Sequence, residues 1–286
     1  MLRLLWIPVV LALLAGCGSA AHGESRMTVV ATTTQVADFA RHVAGPSADV
    51  VQILQPNSDP HDYEVRPHDV KAIADADVVI RSGGELDAWL DQAIDASGTG
   101  ARIVTLSDAI PLVGGDPHWW QNPRNAIVAV HEIEAALHRR APAYVEQLER
   151  LDRDTAACID QLPDAQRKLV TTHDALGYYA RRYGLEVIGT VIPSLSTEAQ
   201  PSAGDTANLI RTIRETGVKA IFPESSVNPK LTRAIAREAG AAVGPALYAD
   251  SLGPSGTQGA TYIGSLQANT RALVRGFTDG RVSCRL

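Results

Sequence analysis

The chain has 286 residues, enough for two domains of ordinary size or one large one. Apolar residues make up 45% and charged residues 20%, so a packed core is within reach and wholesale disorder is excluded. The net charge is -6 with no basic run, which argues against a nucleic-acid surface, and 5% aromatics argue against a stacking platform for sugars or bases.

Near the start of the chain, Arg3 is followed by an apolar run over 4–15. That run has the size of a signal-peptide core and falls short of the roughly 20 residues of a membrane-spanning helix. It ends in Leu14-Ala15-Gly16-Cys17, which resembles a bacterial lipobox. The resemblance implies a signal peptide over 1–16, cleavage before Cys17 and lipid attachment to it. The chain would then be anchored to the membrane on the outer face of the cytoplasmic membrane. Residues 17–26 are small and polar and read as a flexible tether.

From residue 27 the pattern alternates strand and helix. Val- and Ile-rich runs at 27–34, 48–54, 76–82 and 102–106 predict strands. Helices are expected between them at 35–43, 66–74 and 85–96. A second series predicts strands at 168–172, 186–191, 218–223 and 242–248, with helices at 175–183, 204–216, 230–239 and 262–278. Continuous apolar strands joined by helices predict mostly parallel sheets flanked by helices. The expected fold class is therefore α/β with two lobes, an N-terminal one over 27–141 and a C-terminal one over 164–286. Between them, 142–163 carries Pro142 at a helix start and Pro163 at its end. Val145, Leu148, Leu151, Thr155, Ile159 and Leu162 form one apolar stripe. About 20 residues at 1.5 Å each make a stiff connector roughly 30 Å long.

Four side chains stand at loop positions after strands: His61 in Asp59-Pro60-His61, His118 in Asp116-Pro117-His118, His173 after 168–172, and Asp250 after Tyr248-Ala249. Ligands of open parallel sheets bind beyond the carboxyl ends of the strands. Two such positions fall in each lobe, so facing lobes would bring all four to one cleft. Three imidazoles and a carboxylate suit a divalent transition metal, commonly in tetrahedral geometry for zinc. Proline in both Asp-Pro-His segments stiffens the chain that presents the imidazole.

Across nearly the whole mature chain the sequence resembles the zinc/manganese solute-binding lipoproteins of bacterial ABC importers, the ZnuA/TroA type. The matching stretches begin with Pro56-Asn57-Ser58-Asp59-Pro60-His61-Asp62-Tyr63-Glu64 and Asp116-Pro117-His118-Trp119. His173-Asp174-Ala175-Leu176-Gly177-Tyr178-Tyr179, Ile221-Phe222-Pro223-Glu224-Ser225-Ser226 and Leu247-Tyr248-Ala249-Asp250-Ser251-Leu252-Gly253 follow in family order. The resemblance implies two lobes joined by a rigid helix and one metal in the interlobe cleft, held by His61, His118, His173 and Asp250. Many zinc members carry a long His-rich loop before the second ligand; here 110–116 is short and has no His. Manganese members commonly have a carboxylate at the third position, where this chain has His173. The added imidazole favours Zn2+ as the transported ion, with Mn2+ as the alternative.

The remaining candidates have plainer roles. His68 sits at a helix start, and His131 and His138 share a helix face that solvent explains. Glu224 follows a strand and is the candidate to accept a proton from a ligating His, against a hydrogen bond to the Ser225–Ser226 turn. Trp119 and Trp120 are expected to shield the cleft or fill packing. Cys158 and Cys284 are a candidate disulfide in an exported compartment, tying the tail to the connecting helix. The expected function is metal capture and delivery to an ABC permease, by a monomer with no catalytic residue. A zinc hydrolase is the rival, but it needs a general base that no HExxH-like element supplies. A siderophore or cobalamin receptor would need an aromatic or Arg-lined cleft and no set of placed histidines.

Overall fold

The computed structural model describes residues 26–286. The expected signal peptide, Cys17 and all but the last residue of the tether lie outside the described residues. No helix among those described is long and apolar enough to cross a membrane.

The first half holds a four-stranded, wholly parallel sheet. Its strands are β1 (Met27–Ala31), β2 (Ala48–Gln52), β3 (Val78–Arg81) and β4 (Arg102–Thr105), in the order β2-β1-β3-β4. Helices α1 (Thr34–Ala44), α2 (Pro67–Ala74), α3 (Trp89–Ser97) and α4 (Pro123–Leu137) cover it. Val29, Val30 and Ala31 of the central strand β1 are fully buried, because helices lie on both faces. Alternate residues feed two clusters: Val29 and Ala31 pack with α1 and α4, while Val30 packs with Ile73 of α2 and Leu90 of α3.

The second half repeats the winding. Strand β5 (Lys168–Thr171) pairs with β6 (Glu186–Thr190), and β7 (Ala220–Ile221) pairs with β8 (Ala242–Val243), all parallel. A parallel bridge between Thr171 and Phe222, with the Phe222 N–H donating to Val170 O at 2.9 Å, joins the pairs into the order β6-β5-β7-β8. Helices α6 (Gly177–Tyr183), α7 (Ala203–Thr216), α8 (Lys230–Ala239) and α9 (Tyr262–Phe277) flank this sheet.

Helix α5 (Pro142–Ile159) connects the halves. Its Tyr144, Leu148 and Leu151 belong to the first half's core, and its Cys158 and Ile159 to the second's. Two polar hubs fix it. The Tyr144 hydroxyl donates to Asp38 of α1, which also accepts the Tyr262 N–H of α9. Asp152 accepts from Arg124 of α4 and from Arg182 and Tyr183 of α6. A helix held at this many points from both sides is a spine rather than a loose hinge. Cys158 and Cys284 are joined as a disulfide, with Cα atoms 5.7 Å apart, which ties the chain end to the spine.

Three expectations about elements are corrected. Strands expected over 218–223 and 242–248 shrink to two residues each, because Pro223 and Pro245 have no N–H for the ladder; pairing resumes only as a bridge between Glu224 and Leu247. The helix expected from 85 starts at Trp89. Residues 83–87 instead fold back so that buried Asp87 accepts the N–H groups of Ser82 and Gly83 and the Thr32 hydroxyl. That turn uses φ of +86° at Gly83 and +67° at Gly84, a region open to glycine at little cost. The helix expected from 175 starts at Gly177, since a short turn follows β5.

Candidate metal centre

Every candidate side chain emerges past the carboxyl end of a strand. His61 lies on the segment between β2 and α2, and His118 on the one between β4 and α4. His173 stands two residues beyond β5, where the Thr171 hydroxyl caps its carbonyl at 2.8 Å. Asp250 lies three residues past the Leu247 bridge. The donor atoms of His61, His118, His173 and Asp250 all lie within 4.8 Å of one another.

The separations are specific. His118 Nε2 is 3.4 Å from His61 Nε2 and 3.3 Å from His173 Nε2. Carboxylate oxygens of Asp250 lie 3.6 Å from His61 Nε2, 3.4 Å from His118 Nε2 and 3.3 Å from His173 Nε2. A tetrahedral ion with bonds of about 2.0–2.1 Å has ligand atoms roughly 3.3–3.4 Å apart. Both Asp250 oxygens are buried and neither receives a hydrogen bond. A buried carboxylate with no donor is costly unless a cation compensates it, and the three nitrogens facing it leave room for one.

Outer carboxylates orient two of the rings. His118 Nδ1 is 2.8 Å from Asp116 Oδ1, which also accepts the His118 N–H. His173 Nδ1 is 2.8 Å from Glu224 Oε2, while Glu224 Oε1 accepts the His173 N–H. A proton on each Nδ1 directs the Nε2 lone pair to the centre and strengthens it as a donor. Glu224 thus meets His173 rather than the neighbouring serines, whose hydroxyls are buried without partners. Asp116 went unrecognised in the sequence. Its signal is local: an Asp two residues before a His, across a proline, forms an Asx turn on the His N–H.

Electrostatics set the two buried rings apart. Burial pushes His118 down to about 3, against the pull of Asp250 and with the other imidazoles helping. Burial also opposes charge on His173, but Asp250 and Glu224 outweigh it and raise the ring to about 10. Burial lifts Asp116 to about 6, opposed by the His118 N–H and Arg181.

The surroundings clamp Asp250 most firmly. The Trp120 and Gln121 side chains both donate to Ala249 O, at 2.9 and 2.8 Å. Leu252 N–H donates to Thr34 Oγ1 and its carbonyl accepts from Asn57 N–H. The segment bearing Asp250 is thereby bolted to the first half of the molecule. Trp119 and Trp120 are buried, and Trp120 stands edge-on to His118. His68, His131 and His138 stay outside the cluster: His68 pairs with Asp69, His131 with Glu134, and His138 caps α4.

A family model described as "Zinc-uptake complex component A periplasmic" matches residues 29–276. The chain belongs to that family. Its members are substrate-binding transport receptors and not enzymes, which removes the hydrolase reading. The chain is similar to the manganese-binding lipoprotein MntA of Bacillus subtilis (strain 168), with 33% identity over 290 residues covering 92% of this chain and 94% of that one. It is also similar to the iron-binding protein YfeA of Yersinia pestis, with 29% identity, covering 88% of this chain and 86% of the relative. Among solved structures, the periplasmic zinc binding protein TroA from Treponema pallidum superposes with a TM-score of 0.82 at 28% identity. That match covers 88% of this chain and 99% of the other. Three relatives thus carry three metals in their names, so kinship gives the receptor class and leaves the ion to the site.

Proposed function

We propose that this protein captures Zn2+ outside the cytoplasmic membrane and delivers it to an ABC permease, working as a lipid-anchored monomer. The ligands are His61, His118, His173 and Asp250. The observation that carries the reading is the convergence of three imidazole nitrogens, all donor atoms within 4.8 Å of one another, on a buried carboxylate that no hydrogen bond partners. Three imidazole nitrogens with one carboxylate form a set that suits zinc better than the oxygen-preferring manganese. The two halves, divided at the 142–163 connector, close on the ion from both sides. The lipobox-like sequence at Cys17 and the lipoprotein name of the Bacillus relative support the anchor.

Manganese is the second reading. The Bacillus relative is named for it, and both Asp250 oxygens face imidazole nitrogens, so the carboxylate is free to bind through two atoms and raise the coordination number. Competition binding of both ions to metal-stripped protein at one pH separates the readings. Zinc preference should exceed what the Irving–Williams order alone gives a carboxylate-rich site. Tighter binding of manganese would overturn the zinc reading. Elemental analysis of the purified protein should find about one divalent ion per chain.

A further inference from the structure

His61 is the ring nearest solvent. Its side chain is 7% exposed, against 0% for His118, His173 and Asp250. It lines a cavity of about 390 Å³ whose near wall is Tyr63, Trp89 and Pro117 and whose far wall is Leu195 and Ser196. The far wall belongs to the segment after β6, in the second half. Of the four cluster side chains His61 alone lines this cavity, which makes the cavity a route from the cluster past His61 to solvent.

One hydrogen bond spans that route. Thr197 Oγ1, between the wall residues Ser196 and Glu198, donates to Asp59 Oδ2 at 2.7 Å across 138 positions of sequence. Among the described residues it is the one hydrogen bond tying the 193–202 segment to the first half. The other oxygen of Asp59 accepts the His61 N–H at 3.0 Å. Buried Pro60 lies between them and fixes φ, so a shift of the Asp59 carboxylate is passed to the imidazole. The segment's start is anchored within the second half, where the Asp174 N–H donates to Ser194 O at 3.0 Å; beyond it the contacts are short-range turns in which the Ser196 N–H donates to Ser194 Oγ and the Glu198 N–H to Ser196 Oγ.

We propose that the Thr197–Asp59 hydrogen bond is a latch: it holds the far wall over His61, keeps His61 on the ion and sets the rate at which the ion is released. Thr197 is a positioning residue acting through Asp59, and the inference rests on the site proposed above. A hydroxyl donating to a carboxylate at this length is a charge-assisted bond, stronger than a neutral one. Its loss opens the route without removing a ligand.

The test is zinc release into excess chelator by stopped flow, with Thr197→Val removing the donor at constant shape and Thr197→Ser restoring it. Thr197→Val should release zinc about tenfold faster, the order expected for one lost hydrogen bond to a charged group. Metal-free Thr197→Val should stay folded with its thermal midpoint lowered by no more than a few degrees, and Thr197→Ser should release zinc at the wild-type rate. Release from Thr197→Val at the wild-type rate overturns the latch and leaves the four-ligand site standing. Equally fast release from both variants, with lowered metal-free midpoints, also overturns it, since Thr197 would then serve the fold alone. Wild-type protein that takes up no zinc overturns site and latch together.

Discussion

The chain writes Asp-Pro-His twice, and the two copies end in different environments. In both, the aspartate accepts the histidine N–H across the proline, at 3.0 Å for Asp59 and 2.9 Å for Asp116. In the second copy the aspartate serves its own ring: Asp116 also takes the Nδ1 of its own His118, the ring is sealed against Trp120, and Arg181 and Tyr178 of α6 back the aspartate from the other half. The first copy leaves its ring without such a partner. Asp59 turns its free oxygen to Thr197 in the other half, and His61 keeps one edge on a cavity. One tripeptide thus makes a buried inner imidazole in one place and, in the other, an outer imidazole whose aspartate is tied to the other half. Local sequence sets how an imidazole is presented; what covers it sets whether it stays.

The comparison breaks most readily by deleting the rings. A structural zinc site's binding energy of about 10–16 kcal/mol, shared by four ligands, is roughly 3 kcal/mol each, or about a hundredfold in affinity. His118→Ala should lose at least that much in chelator competition, because it also strands Asp116. His61→Ala should lose less, because water from the cavity can occupy the vacated position. Equal losses would erase the distinction between inner and outer ligands. Next in size are the orienting carboxylates. Asp116→Asn and Glu224→Gln should each weaken zinc by about 10–100-fold with the fold kept, as outer partners of ligating histidines do. Wild-type affinity in Asp116→Asn would show that the second copy needs no oriented ring.

Protonation sharpens the contrast further. In the metal-free protein His173 is raised to about 10 and His118 pushed down to about 3, so a bound metal is expected to displace a proton from His173 and none from His118. Affinity should rise with pH by up to about tenfold per unit between roughly 7 and 10, with about one proton released per zinc. Calorimetry in buffers of different ionisation heat reads that proton directly; zero release at pH 8 contradicts it. The metal-free fold responds with opposite signs. The raised His173 contributes stability below its unfolded value of about 6.5, lost as pH rises through about 10. The depressed His118 contributes above about 6.5 and loses it as pH falls toward about 3. The smallest effect at the site should come from the paired Cys158→Ser and Cys284→Ser change. It should cost about 2–5 kcal/mol of stability by denaturant unfolding and leave zinc affinity unchanged.

The α/β class was legible because continuous Val- and Ile-rich runs alternate with amphipathic stretches, a pattern that local chemistry fixes. Helices α5 and α8 start where proline and periodicity place them. The strands β7 and β8 were overdrawn, since apolarity does not reveal where proline interrupts a ladder. His61, His118, His173 and Asp250 could be named from their positions after strands and from family resemblance. Asp116 was readable in principle from its spacing to His118. Other features belong to the tertiary structure. Glu224 meets His173 across 51 positions, Thr197 meets Asp59 across 138, and Ala249 is held by Trp120 and Gln121 across 129 and 128. Sequence gave every histidine the same reference value of about 6.5. Only the fold separates His118 from His173, because burial and neighbouring carboxylates act through space, and which groups are near in space is decided by packing.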